Sequence, residues 1–428
     1  MSLLSPIGLI DLLTFYFFRL PPIARRLRLF NQNPLPNFDF LQNTAMENVK
    51  TFIRTVKRYK DYAVQVARDL PIHKANSGQT HYAFLRCALE QARLLRTSAI
   101  AAEDYYSLGL NSATLNFREK KTFLGSFEKG RYFDHINPPI YDITARDKVL
   151  FHLLADTLQI PTPRTLATTS PGAKPAYGVR ISSEVDLISF LEQQADHELF
   201  FKPADGSLGE GALAIGRSPS NSTEWIEWPR GNPLQVSDVV TRLRICDQLG
   251  RFLIQARLRP HPALAEIVPN VCPTVRVMTL HQNGGTSILG AALRLGSGTT
   301  ATDNVAGGGI IGRLDMSSGS LLHGVSLDSM VPVLHDAHPR TGVRITGKSV
   351  PDWSEVIHLV EQSAPKLNFI PCIGWDIGIT DDGPVVIEIN TRPRCVSVQS
   401  NQNAGLLAGP LGDALARFTG TAKSGLNF

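Results

Sequence analysis

Residues 374–390 read GWDIGITDDGPVVIEIN, with two apolar runs on either side of an Asp-Asp-Gly-Pro turn. This pattern predicts a β-hairpin. Glu388 and Asn390 are two residues apart on the second strand, so both side chains point to one face of the sheet. Asp376 lies on the first strand at a separation that lets it join them.

The three side chains of this hairpin are all oxygen donors. Two carboxylates and an amide are the ligands that Mg²⁺ takes when it bridges phosphates. The alternative is a polar face open to solvent, but like charges paired across a hairpin are unfavourable without a cation. The stretch therefore predicts a magnesium site at Asp376, Glu388 and Asn390.

A second informative stretch, FFKPADGSLGEG, occupies residues 200–211. A strand ending in Lys202 runs into a turn rich in small residues, namely Gly206, Ser207, Gly209 and Gly211. Glycines let backbone N–H groups approach phosphate oxygens closely, and the lysine supplies a point charge. It is not a Walker A loop, because the lysine precedes the glycines. A phosphate-binding loop is the functional interpretation, and an ordinary mobile turn is the alternative.

The remaining pattern sets the fold class. Apolar residues recur at three- and four-residue intervals between residues 43 and 106, which predicts helices. A further helix is predicted after Asp147-Lys148. Beyond residue 160, β-rich runs alternate with turns, and strands are predicted at 198–202, 212–215, 251–255, 274–280, 287–295 and 385–389, with helices at 183–194 and 353–363. The chain is predicted to be an α+β protein preceded by a helical region.

Composition narrows the class of protein. The 428 residues carry a net charge of +5, which is too small to argue for nucleic acid. The five cysteines lie too far apart for a zinc or redox motif, which favours free thiols in a reducing cytoplasm. The apolar run from Leu3 to Phe18 is short and interrupted, and the arginines that follow it do not fit a secretory signal. Residues 3–30 are predicted either to pack on the protein or to touch the inner membrane face.

Several short motifs occur together in one order along the chain. They are DK at 147–148, IPTP at 160–163, KPADGS at 202–207, TVR at 274–276, ALRLG at 292–296, DN at 303–304, GGG at 307–309 and GWDI at 374–377. This order resembles that of the sugar-transfer-associated ATP-grasp family over roughly residues 100–395. The resemblance implies an ATP-grasp fold, in which two α+β subdomains grip ATP. It divides the chain into a helical region at 1–140, an N-terminal subdomain at 141–255 and a C-terminal subdomain at 256–428.

The resemblance also implies roles for individual residues, with ATP and Mg²⁺ as cofactors. Lys148 and Lys202 would hold ATP phosphates, and the loop from Gly206 to Gly211 would close over them. Gln255 would face the adenine, and Glu266 is a candidate for a ribose hydroxyl. Arg276 and Arg294 would be the catalytic residues. They would neutralise charge on the γ-phosphoryl group and on an acyl phosphate.

Members of this family are generally inferred to join amino acids to sugars in polysaccharide assembly. The leading hypothesis is therefore a ligase that joins a small-molecule carboxylate to an amine. A kinase with Asp303 as its base and a nucleotide-binding scaffold without turnover are the alternatives. The sequence carries no information on the oligomeric state.

Some positions depart from the expected pattern or have two interpretations. Pro273 stands where a hydrogen-bonding residue is expected. Gly374 replaces an arginine found in D-alanine ligases, which makes Arg276 the first choice for the transition-state cation. Arg392 and Arg394 follow the predicted metal strand and would meet an anionic substrate or solvent.

Overall fold

The computed structural model describes residues 60–76, 81–127, 130–170, 177–194, 197–206, 209–218, 220–221, 224–245, 248–303, 308–327 and 332–419. The apolar segment at residues 3–30 and Ser207 of the glycine-rich loop lie outside the described residues. In the described part of the chain, no helix combines the length and apolarity that a bilayer span requires.

The helices in the described ranges occupy residues 60–76 and then His81–Ser98, Ala102–Ser107, Phe117–Lys120, Gly130–Phe133, Ile143–Arg146, Lys148–Thr157, Glu184–Gln193, Val236–Arg242, Pro262–Ala265, Trp353–Ser363, Val396–Gln402 and Pro410–Thr419. Short 3₁₀ turns occur at Pro139–Tyr141, Ala364–Leu367 and Leu406–Ala408. The helices predicted after Asp147-Lys148, at 183–194 and at 353–363 are confirmed.

The first sheet has seven strands. In chain order the strands of this part are β1 (Thr165–Thr169), β2 (Val179–Ile181), β3 (Leu199–Pro203), β4 (Leu213–Arg217), β5 (Trp225–Trp228), β6 (Asn232–Leu234), a ribbon of β7 (Arg244–Ile245) with β8 (Gln248–Leu249), and β9 (Phe252–Ala256). Their order across the sheet is β2-β1-β9-β3-β4-β5-β6. The β1–β2 pair is parallel and the other pairs are antiparallel.

The second sheet also has seven strands and is antiparallel throughout. Its strands are β10 (Thr274–Gln282), β11 (Gly285–Leu295), β12 (Ile310–Leu314), β13 (Leu321–Ser326), β14 (Val333–His335), β15 (Cys372–Thr380) and β16 (Gly383–Asn390). Their order is β14-β13-β12-β11-β10-β15-β16. All the predicted strands are confirmed.

The chain divides into two compact units, Met1–Arg96 and Thr97–Phe428. In the first unit, the Gln91 amide donates to Asp69 at 3.0 Å. In the second, side chains from residues 99 to 136 share a core with β10, β11 and the C-terminal helices. The predicted boundary at residue 140 therefore lies inside the second unit, and the boundary at residue 255 falls at the end of β9. Both remain predictions.

Candidate functional site

The β15–β16 hairpin brings the predicted metal residues together. Asp376 is paired directly with Glu388, and Gly374 is paired with Asn390. The register shifts by one residue beside Asp376, so Ile377 pairs with Val386. A bulge of this kind re-aims side chains at the point where it occurs. The hairpin and the shared location of the two carboxylates are thus confirmed.

Asp376 is 3% exposed and is held by two arginines from neighbouring strands. Arg276 on β10 donates through Nε to Oδ1 at 2.5 Å and through NH2 to Oδ2 at 2.9 Å. Arg294 on β11 approaches Oδ1 to 3.2 Å. Burial alone would raise the pKa of Asp376, but the two guanidinium groups hold it below its ordinary value. Both predicted catalytic arginines therefore converge on the predicted metal ligand.

Glu388 experiences the opposite electrostatic environment. Burial and the neighbouring Asp376 carboxylate raise its pKa, while Lys148 and Lys202 act to lower it. Two carboxylates at one place repel each other unless a proton or a cation lies between them. A divalent cation at this position would relieve the repulsion.

Asn390 supplies a further sign that a ligand belongs here. Its Nδ2 is buried and has no hydrogen-bond partner among the described residues. Buried polar groups are rarely left unsatisfied in this way. In the described part of the chain no three His, Cys, Asp or Glu side chains form a metal cluster. The unsatisfied N–H donor of Asn390 suits a phosphate oxygen. The two carboxylates and the Asn390 amide oxygen are the hard donors that would hold a Mg²⁺ ion.

Lys148 stands at the start of the helix Lys148–Thr157. Asp147 caps this helix, because its Oδ1 accepts from the backbone of Val149 at 3.0 Å and Leu150 at 3.1 Å. Arg251, the residue before β9, binds the other Asp147 oxygen at 2.6 Å. The Lys148 ammonium donates to the Gly206 carbonyl in the glycine-rich loop. The Asp-Lys pair thus fixes the lysine beside that loop.

Lys202 lies on β3 and reaches the second sheet. Its Nζ donates to the carbonyl of Ile387, next to Glu388, at 3.3 Å and lies 3.3 Å from His152 Nε2. Burial lowers the pKa of Lys202 to about 7, opposed by Glu388 and reinforced by Lys148. The two predicted phosphate lysines therefore lie at the edge of the carboxylate pair.

The glycine-rich loop requires its glycines for two reasons. Gly209 and Gly211 have φ angles of 71° and 72°, a region that side chains disfavour. A Cβ at Gly209 would also lie 2.8 Å from the hydroxyl oxygen of Thr302. Gly206 meets Lys148 through its carbonyl. The loop thus contacts the segment that follows β11.

A cavity of about 310 Å³ lies beside this contact. Its lining includes Gly209, Trp228, Arg230, Thr300 and Thr302. One wall is the segment that follows the strand bearing Arg294. The lining also includes Glu227. The cavity therefore combines polar side chains, an aromatic ring, a carboxylate and a guanidinium group, which suit a hydroxylated ligand with charged groups.

The nucleotide-base predictions have different surroundings. Gln255 on β9 is 2% exposed, and its amide nitrogen lies 3.2 Å from both the Pro163 carbonyl and the Thr165 hydroxyl. Glu266 is an exposed residue paired with Lys348 at 2.5 Å. The adenine and ribose roles of these two residues remain predictions.

The segment after β11 ends at Asp303, which is 8% exposed. Its Oδ2 accepts from the Thr274 backbone at 2.8 Å and from the Thr274 hydroxyl at 2.5 Å. Burial raises the pKa of Asp303, while Arg294 acts to lower it. Pro273 has no backbone N–H, and Thr274 beside it supplies the two donors that Asp303 accepts from.

The arginines that follow β16 are both paired with protein groups. Arg392 binds Asp134 at 2.6 Å and Asp142 at 3.1 Å. Arg394 Nε donates to the Ser126 hydroxyl at 3.3 Å. These contacts join the end of the metal strand to the segment that precedes Lys148.

Comparison with known protein families identifies the chain. The model of a family described as sugar-transfer associated ATP-grasp matches residues 128–410. The chain belongs to this family. Its α+β architecture is the ATP-grasp fold that the sequence predicts.

Solved structures similar to this ATP-grasp protein include three synthetase or ATP-grasp chains. They are an ADP complex of N5-carboxyaminoimidazole ribonucleotide synthetase (10% identity, 61% of this chain and 50% of that chain, TM-score 0.33), a RimK-domain ATP-grasp protein from Sphaerobacter thermophilus (14%, 62% and 67%, 0.33) and D-alanyl-alanine synthetase A from Vibrio cholerae (11%, 64% and 66%, 0.35). The chain spans half the length of the first and about two thirds of the others. No curated protein matches it.

Sequence reasoning missed one residue of this ATP-grasp site, His152. It lies four positions after Lys148 in the same helix, so the two side chains share a face. That spacing was the available signal. A lone histidine in an apolar helix is usually part of the core, and only the position of β3 reveals its polar neighbours.

Proposed function

We propose that this ATP-grasp protein is an ATP- and magnesium-dependent ligase that joins a carboxylate to an amine through an acyl phosphate. The observation that carries the proposal is the approach of Lys202, from the first sheet, to the strand of the second sheet that bears Glu388. Family membership supports ATP-dependent ligation in general. The specific reaction is our inference from the charges around this point.

The residues act by positioning reactants and offsetting charge. Lys148 and Lys202 neutralise the phosphates, and the loop from Gly209 to Gly211 covers them. Asp376, Glu388 and Asn390 would hold a Mg²⁺ ion, which would supply further neutralisation of phosphate charge. Arg276 and Arg294, both anchored at Asp376, stabilise the negative charge that moves during transfer.

The reaction proceeds in two steps. A substrate carboxylate oxygen attacks the γ-phosphorus, the bond to the β–γ bridging oxygen breaks, and ADP leaves. The amine nitrogen then attacks the acyl carbon, the carbon–oxygen bond breaks, and inorganic phosphate leaves as the nitrogen loses a proton. We propose that the carboxylate occupies the cavity beside Arg230. An amino acid joined to a sugar acid or amino sugar fits its polar lining and the family description.

Trapping with hydroxylamine tests this reaction. Full-length protein with MgATP, hydroxylamine and a panel of amino acids and uronic acids is expected to give a hydroxamate and ADP, because hydroxylamine captures an acyl phosphate. The Glu388→Ala variant, folded by circular dichroism, should give neither product.

The same assay separates the two alternatives. A kinase would give a stable phosphate ester and no hydroxamate, which would contradict ligation. Asp303, the residue predicted to serve as its base, already accepts two hydrogen bonds from Thr274, and this favours a structural role. A non-catalytic scaffold would release no ADP with any substrate.

A further inference from the structure

His152 is a fully buried polar residue in the helix Lys148–Thr157, with a relative exposure of 0%. It lies one helical turn after Lys148. Around its ring are the ammonium of Lys202, at 3.3 Å from Nε2, and the amide nitrogen of Gln255, at 3.3 Å from Nε2 and 3.4 Å from Nδ1. Both of these neighbours, and Lys148 one turn earlier, are residues predicted to bind the nucleotide.

The chemistry of these neighbours fixes the state of the ring. In its charged form the Lys202 ammonium can only donate, so Nε2 of His152 accepts from it and carries no proton. Burial and the charge of Lys202 lower the pKa of His152 well below its ordinary value, which keeps the ring neutral. The protonated ring nitrogen donates to the backbone carbonyl of Ile387, which Lys202 also reaches. His152 is thus a neutral ring that donates towards β16 and accepts from Lys202.

A purely structural histidine would be satisfied by groups that have no part in the site. Here the ammonium of the long, rotatable Lys202 side chain is held by two groups, the His152 ring and the Ile387 carbonyl next to Glu388. A lysine that is already positioned loses less conformational entropy when a phosphate binds. Positioning of Lys202 by His152 is therefore expected to raise the affinity for the nucleotide.

We propose that His152 is a positioning residue whose neutral ring holds the Lys202 ammonium where the phosphates of ATP bind. This inference rests on the proposed nucleotide site. His152 acts through Lys202 and does not itself touch the reacting atoms.

Calorimetric titration of the full-length protein with MgATP tests the proposal. His152→Phe keeps a flat ring but removes the acceptor, and affinity is expected to fall about tenfold, as for one hydrogen bond to a charged group. His152→Gln can put an oxygen near the position of Nε2 and should bind within about threefold of the wild type. His152→Asn is too short to reach Lys202 and should resemble the Phe variant.

A double-mutant cycle shows whether the effect passes through the lysine. Lys202→Ala should weaken MgATP binding, and adding His152→Phe to it should weaken binding no further. Val360→Ala is the control for stability, because Val360 packs in the main core from a different helix, Trp353–Ser363. It should lower the melting temperature and leave the affinity unchanged.

Two sets of results would overturn the inference. One is wild-type affinity in a folded His152→Phe variant, and the other is additive losses in the cycle. If His152→Phe does not fold, equal affinities of the Gln and Asn variants would have the same meaning. If Lys202→Ala leaves MgATP binding unchanged, the proposed nucleotide site itself is wrong.

Discussion

The Asp376 carboxylate is buried between Arg276 and Arg294, and the three groups stabilise one another only as a set. Taking charges out of water is costly, and removal of one partner leaves the others uncompensated. Arg276 lies directly opposite Asp376 in the β10–β15 pairing. Its role as the transition-state cation remains a prediction.

We expect Asp376→Asn to lower the free energy of unfolding by about 3–5 kcal/mol, the usual cost of breaking a buried pair. Urea denaturation at neutral pH measures the change. Asp381→Asn, on the exposed turn of the same hairpin, is the control and should change stability by less than about 0.5 kcal/mol. Equal losses of stability in the two variants would show that the ion pairs of Asp376 do not stabilise the folded protein.

His338 is a second buried histidine, and its charge state affects the stability of the fold. It is 2% exposed, its Nε2 lies 3.1 Å from the Gly296 carbonyl after β11, and its Nδ1 accepts from the Thr341 backbone at 3.3 Å. Burial, and secondarily Arg340, lower its pKa. The neutral ring suits both bonds, whereas a proton on Nδ1 would face the Thr341 N–H.

The folded-state pKa of His338 is depressed, so its contribution to stability is present above the unfolded value of about 6.5 and is lost as pH falls below it. Between pH 7.5 and pH 5.5, the free energy of unfolding should fall more in the wild type than in His338→Gln. Urea denaturation at both pH values gives the comparison. Parallel losses in the two proteins would contradict this role.

Among the elements, the glycine-rich loop and the segment after β11 meet at Gly209 and Thr302. Gly209→Ala combines an unfavourable φ of 71° with a close approach to Thr302. Gly342 is a matched control, since its φ is 70° and a Cβ there would meet nothing within 4 Å.

Both alanine variants should lose about 1–2 kcal/mol of stability from the backbone conformation alone. Gly209→Ala should lose more and should also weaken MgATP binding, because the loop must shift away from Thr302. Melting curves and calorimetry measure the two effects. If both variants bind MgATP equally well, the contact between loop and segment has no role in nucleotide binding.

The hairpin β15–β16 was predictable because its pattern is local: two apolar runs, a turn and polar residues at spacing two define it within 17 residues. The helix start at Lys148 was predictable for the same reason. The Arg276–Asp376 pair was not, since the two residues are 100 positions apart and only the β10–β15 register joins them. His152 was missed because its partners come from β3 and β9.

For the molecule as a whole, the predicted domain boundary at residue 140 also depends on contacts that local patterns do not reveal. Helical periodicity identifies helices before residue 140 but does not tell which core they join. The structure places Leu124, Tyr132 and Phe133 in one core with Met278 and Leu280 of β10. Met278 and Leu280 follow Arg276 at a spacing of two, so this core lies on the same face of the second sheet as the site, further along β10.

Binding of MgATP is also expected to change the stability of the whole protein. MgATP that binds only the folded protein should raise its free energy of unfolding by about 2.7 kcal/mol at a hundredfold excess over Kd. Urea denaturation with MgATP, with ATP and EDTA, and with adenosine gives the test. Stabilisation by adenosine equal to that by MgATP would show that the lysines and carboxylates do not contribute.

Calorimetric titration of MgATP into the protein and its Glu388→Gln variant tests directly whether this hairpin forms a magnesium–ATP site. We predict saturable binding by the wild type and binding at least about tenfold weaker in the variant, because one carboxylate ligand of the cation is lost. With EDTA present, the two proteins should bind ATP equally weakly. Equal MgATP affinity in both proteins, or no binding by the wild type, would contradict a magnesium–ATP site on this hairpin.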